Sequence, residues 1–75
     1  MNSDKNRVIV FSDVDKRDGI GIGVYQDDKL ILEIFRDDTK RTKTATFFQQ
    51  EISLDILEKS IETFKKEIPS DFIDY

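Results

Sequence analysis

Lys29–Arg36 (KLILEIFR) and Thr42–Gln49 (TKTATFFQ) decide the fold of this chain. Both alternate with the two-residue period of a strand, and both carry apolar or aromatic residues on each face. In the first, Leu30, Leu32 and Ile34 share one face, while Ile31, Glu33 and Phe35 share the other. In the second, Thr42, Thr44, Thr46 and Phe48 lie opposite Lys43, Ala45, Phe47 and Gln49. A sheet of such strands is hydrophobic on both sides. A single amphipathic helix follows, so the pattern predicts one apolar face left for a ligand, a partner or a second copy.

Working outward, Arg7–Ser12 (RVIVFS) is rich in β-branched residues and reads as a first strand. Its register stays open, because Val8 and Val10 compete with Ile9 and Phe11 for the core. After the charged turn Asp13–Asp18, Ile20–Gln26 places Ile20, Ile22 and Val24 on one face and Gly21, Gly23 and Tyr25 on the other. Asp27-Asp28 and Asp37–Arg41 are polar breaks of hairpin length. Beyond Gln49 the period changes to about 3.6. Leu54, Leu57, Ile61, Phe64 and Ile68 form one helical stripe, with Ser53 as N-cap, Ile52 and Leu57 as a hydrophobic staple and Pro69 as the stop. Asp55 and Glu58 near the start and Lys65 and Lys66 near the end suit the helix dipole.

The expected architecture is α+β: a four-stranded antiparallel meander followed by one helix packed on one face, ββββα. The expected organisation is a single domain over 1–75. It has a flexible N-terminus (1–6), a sheet (7–49), a helix (53–68) and a tail (69–75). Ile20, Ile22, Val24, Leu30, Leu32 and Ile34 are expected to meet the helix stripe. Tyr25, Ile31, Phe35 and either Phe47 or Phe48 are expected on the opposite face. Phe72, Ile73 and Tyr75 are expected to fold back or to pack on a neighbouring subunit.

A 75-residue chain sits near the lower limit for folding alone. Its own core supplies only about 3–5 kcal/mol. Cysteine and histidine are both absent from the sequence, which removes disulfides and thiolate or imidazole metal sites and leaves self-association as the expected supplement. Met1–Lys5 lacks the apolar core of a signal peptide, and no apolar run approaches about 18 residues, so a cytoplasmic protein without membrane contact is expected. A net charge of −4 opposes indiscriminate binding to nucleic acid.

Several motifs imitate chemistry. Val8–Asp15 resembles the strand-then-Asp-x-Asp opening of haloacid-dehalogenase phosphatases, but the chain has no room for the further strands and cap that such chemistry needs. Asp13, Asp15 and Asp18-Gly19 fail the calcium-loop register, since Arg17 and Asp18 fall where a ligand and glycine belong. Gly19-Ile20-Gly21-Ile22-Gly23 lacks the dinucleotide spacing and continues as a strand. The serines have no activating base. No enzyme activity, cofactor or metal is expected. Arg36–Lys43 is the one local excess of positive charge: Arg36, Lys40, Arg41 and Lys43 form either a solvated hairpin or a phosphate-contacting loop beside the aromatic face.

From Leu30 to Ile68 the order amphipathic strand, charged hairpin, second strand, capped turn and long helix resembles the second half of the ββββα unit of single-stranded-DNA-binding coactivators of the positive-cofactor-four kind, and of PUR repeats. The resemblance implies a homodimer that binds single-stranded DNA or RNA across the sheet. Tyr25, Phe35 and Phe47 would then stack on bases, and Arg36, Lys40, Arg41 and Lys43 would meet phosphates. The alternative expectation is an acidic protein-binding module of inhibitor, immunity-like or assembly type, steered to a basic partner and using the same apolar face. A third is that self-association consumes that face entirely.

Overall fold

A computed structural model describes residues 6–15 and 17–72. Strands β1 (Asn6–Asp13), β2 (Gly19–Gln26), β3 (Lys29–Asp37) and β4 (Thr42–Phe47) form one antiparallel meander in sequence order, and helix α1 (Leu54–Glu67) follows. The fold is therefore the ββββα arrangement that the two periodicities dictate. Turn chemistry holds the strands in order. Asp27 and Asp28 both adopt positive φ (53° and 65°), the backbone of a two-residue hairpin whose twist matches that of the strands. At the next turn the Asp37 carboxylate accepts from the amides of Thr39 and Lys40, both at 3.0 Å.

Register assigns the faces, because residues paired across an antiparallel ladder point the same way. Val10, Ile22, Ile34 and Ala45 are in register and face the helix. Phe11, Gly21, Phe35 and Thr44 are in register on the reverse face. The open question of strand-one register is thus resolved: Val8 and Val10 face the helix, and Ile9 and Phe11 face away.

One expectation fails at a bulge. Val24 pairs with Leu32 but Tyr25 pairs with Leu30, which leaves Ile31 as an extra residue in β3. Ile31 and Leu32 consequently both enter the helix-side core, and Leu30 swings to the reverse face beside Gly23 and Tyr25. The core comprises Ile22, Val24, Ile31, Leu32, Ile34, Phe64 and Ile68, with Ile20, Ile52, Ile56 and Leu57 packed around it.

The helix is capped as its sequence requires. Ser53 Oγ accepts from the Ile56 amide at 3.1 Å, and the Ile68 amide donates to the Phe64 carbonyl at 2.9 Å just before Pro69. Its buried side is rotated from the apolar stripe. Ser60 and Phe64 are the buried helix residues, whereas Leu54 is 69% exposed and Ile61 is also exposed. The Ser60 hydroxyl tolerates burial by donating to the Ile56 carbonyl at 2.6 Å. The helix thus lies over the centre of the sheet and leaves Val8 and Val10 on one flank and Phe47 on the other exposed.

On the reverse face, β2 presents glycine at 19, 21 and 23 before Tyr25. Phe11 and Phe35 stand either side of Gly21 with ring centroids 5.8 Å apart and planes 23° from parallel. A Cβ at Gly21 would collide with the Ile34 carbonyl oxygen and meet Phe35 Cα and Cδ1 at 2.9 Å. The backbone of β3 cannot withdraw without breaking its ladder, so Gly21→Ala should cost about 2–3 kcal/mol. Thermal unfolding followed by circular dichroism should show a midpoint lowered by roughly 10–20 °C. An unchanged midpoint would contradict the packing described.

Candidate functional site

The residues expected on one aromatic platform are not assembled there. Ile31 is 1% exposed because the bulge turns it into the helix-side core. Phe35 lies on the expected face but is also 1% exposed. It sinks against Gly21 and Phe11, and Arg17 from the β1–β2 loop lies over it. Phe47 pairs with Leu32 and so belongs to the helix side, where it is 53% exposed at the sheet margin. Tyr25 is half-buried, with the Arg7 guanidinium 5.2 Å from its ring centre.

The lid on Phe35 is Arg17. Its guanidinium carbon lies 3.9 Å from the centre of the Phe35 ring. Nη1 and Nη2 donate to the two Glu33 carboxylate oxygens at 3.0 and 3.2 Å, and Nε donates to Asp13 at 3.3 Å. The Glu33 hydrogen bonds, above all, raise the Arg17 pKa over its ordinary value, with the charges of Glu33 and Asp13 adding and partial burial opposing. Arg17 is therefore a permanent cation clamped flat on an aromatic ring. Of the acidic residues around this turn, Asp13 is committed to the clamp. The signal for it was present in the sequence: Glu33 is a lone charge on an apolar strand face, and a half-buried carboxylate requires a partner.

The four basic residues expected to form a phosphate-contacting loop separate into two groups. Arg36 is 3% exposed and serves the fold. Its Nη1 donates to the Pro69 carbonyl at 2.7 Å, Nη2 donates to Asp38 at 3.2 Å, and Nε lies 3.0 Å from the other Asp38 oxygen. Facing the helix from β3, it ties the end of α1 to the β3–β4 turn. Lys40, Arg41 and Lys43 are exposed. Arg41 and Lys43 flank the Phe72 ring at 5.1 and 5.4 Å, so the segment after Pro69 returns to the same turn as expected. The expected inward packing of Ile73 and Tyr75 lies outside the described residues.

Exposed apolar surface is found instead on the flanks of the helix. Between α1 and β4 runs a cleft of about 490 Å³ lined by Ile34, Ala45, Leu57, Ile61, Phe64 and Ile68, with Lys43, Lys65, Thr44 and Ser70 completing it. Its origin is local. The helix turns Ser60 and Phe64 inward, so Leu57 and Ile61 form a wall, while Ala45 is too small to fill the space opposite. Beside the cleft, the outer edge of β4 pairs with no described strand. On the other flank, β1 likewise has an outer edge without a described partner strand, and Val8, Ile9 and Val10 are exposed along it.

Among the described residues, no group of three or more acidic side chains is placed to hold a metal ion, and no helix is long and apolar enough to cross a membrane. Comparison with family models, curated proteins and solved structures returns no match.

If Arg17 is the lid of the reverse face, Arg17→Ala should uncover Phe35 and leave the Glu33 carboxylate unpaired beside it. The clamp is partly solvated, so the expected loss is about 1–2 kcal/mol, with Arg17→Lys recovering little because an ammonium cannot pair in two-pronged fashion. Urea denaturation of the two variants tests this. Equal stability of wild type and Arg17→Ala would remove the lid from the account.

Proposed function

We propose that this chain is a non-enzymatic protein-binding module that takes an extended segment of a partner along β4. The partner's alternate apolar side chains enter the cleft beside α1, and acidic neighbours meet Lys43 and Lys65. The observation that carries this reading is the juxtaposition of an apolar cleft with a strand edge that, among the described residues, pairs with no other strand. An added strand satisfies the edge's amides and carbonyls and, by its two-residue period, sends every second side chain over Ala45 toward Ile61. Burial of one Leu-sized side chain there is worth about 1.5–3 kcal/mol, which suits a partner held by two or three anchors in about the micromolar range. The charge of the chain as a whole is acidic, but the cleft itself is bordered by lysines. The partner segment is accordingly acidic and apolar, in contrast to the basic partner that net charge alone suggests.

The single-stranded nucleic acid reading draws less support, since Phe35 and Arg36 are enclosed and Phe47 stands on the other side of the sheet. Selection from a random-peptide display library distinguishes the two. Enriched peptides should alternate apolar residues with Asp or Glu, and Ala45→Arg, a change at an exposed position, should weaken them at least tenfold while circular dichroism stays unchanged. Peptide binding indifferent to Ala45→Arg would overturn the proposal. So would salt-sensitive binding of oligothymidylate in place of any peptide, the result that favours nucleic acid.

A further inference from the structure

The geometry points to a second, separate contact: β1 pairs with β1 of another copy of this chain, antiparallel and about a two-fold axis at Ile9. The β1–β2 ladder runs from Asn6 to Asp13 without a register shift, so the outer edge of β1 is a straight eight-residue template. Protected edges carry lysine, proline, a bulge or a short strand. β1 has none of these between Val8 and Phe11, whereas β4 is two residues shorter and carries Lys43. Charge in β1 is confined to Arg7 near one end and Asp13 at the other.

The sequence of β1 selects its own register. A two-fold axis through Ile9 sets Ile9 against the partner subunit's Ile9 and Val8 against the partner subunit's Val10, twice. Arg7, whose guanidinium lies over Tyr25 and pairs with Asp28 in a single copy, then stands opposite the partner subunit's Phe11 without an opposed charge. Moving the axis to Val10 sets Arg7 against the partner subunit's Asp13, a carboxylate already held by Arg17, and opposes Val8 with a serine; moving it to Val8 shortens the overlap and opposes Ile9 with an arginine. Opposed residues share a face in an antiparallel pair, so both helices lie on the same side of a continuous eight-stranded sheet. The four valines form an apolar strip between the helices, on surface that is exposed in a single copy. Isologous pairing of this kind closes at two copies and leaves both β4 edges free. This contact does not depend on the partner segment proposed for β4.

The absence of native cysteine makes the test clean. Residues on the axis lie about 4.5–5.5 Å apart between Cα atoms, within the 4.4–6.8 Å that a disulfide spans. Under mild oxidation at micromolar concentration, Ile9→Cys should cross-link to a dimer at least tenfold faster than Thr63→Cys, a helix control. Val10→Cys should not do so. Sedimentation equilibrium of the unmodified chain should show a monomer–dimer equilibrium that Ile9→Lys weakens at least tenfold and Ala45→Arg leaves unchanged. A strict monomer at millimolar concentration, or Ile9→Cys cross-linking no faster than Thr63→Cys, overturns the proposal. Faster cross-linking through Val10→Cys overturns its register, and a dimer dissolved by Ala45→Arg moves the contact to the other edge.

Discussion

Glycine at positions 19, 21 and 23 removes the side chains from one face of a central strand, and the rest of the molecule is arranged around that deficit. A sheet with a normal second face would need a second layer. Here the aromatic rings of β1 and β3 fall into the empty strip over Gly21, and one arginine from the first turn lies across them. The second layer is thus a single side chain, held by Glu33 beneath and Asp13 beside it. Phe35 is thereby sealed within one chain, while Ile9 on the same face stays exposed at the sheet edge.

The helix side is organised by a different charged group. Arg36 and Asp38 are buried together, and the arginine also accepts the duty of holding the Pro69 carbonyl. Removing one member of a buried pair typically costs about 3–5 kcal/mol, because the other is left uncompensated. The pair therefore fixes geometry more than it adds net stability. It anchors the end of α1 against the β3–β4 turn and, with it, the wall of the cleft that Leu57 and Ile61 form. Each face of the sheet thus depends on one arginine; Glu33 signals the need for a cation on the reverse face, whereas nothing local in the sequence marks Arg36 as buried.

Strand order, hairpin positions, the capped helix and its stop were all readable, since each follows from local periodicity or turn chemistry. Residues 20, 22 and 24 enter the core as their alternation requires. What escaped was non-local. The bulge at Ile31 depends on how β3 meets β2, and a single inserted residue reverses every side-chain assignment beyond it. That reversal explains why Leu30 and Ile31 exchange faces. Phe47 is a separate case: the β3–β4 ladder runs unshifted from Asp37–Thr42 to Leu32–Phe47, and it is this pairing with Leu32 that puts Phe47 on the helix side. The rotation of α1 toward Ser60 was hidden because a serine with an internal acceptor can be buried where pattern reading reserves the place for Ile61. Of the expected site residues, Lys40, Arg41 and Lys43 kept their exposure, while Ile31, Phe35 and Arg36 proved structural.

In the function and the self-pairing proposed above, the adhesive surface lies at the two edges of the sheet and not on its face. That placement rests on Arg17 covering Phe35 in a single copy of the chain. The most direct measurement is the proton NMR spectrum of the protein at low concentration. A guanidinium 3.9 Å above a ring centre lies in the shielding cone of that ring. The account predicts Arg17 side-chain resonances displaced upfield, with nuclear Overhauser contacts to the Phe35 ring protons. Arg17 resonances at unstructured values, with Phe35 contacting no other side chain across the glycine strip, would contradict it.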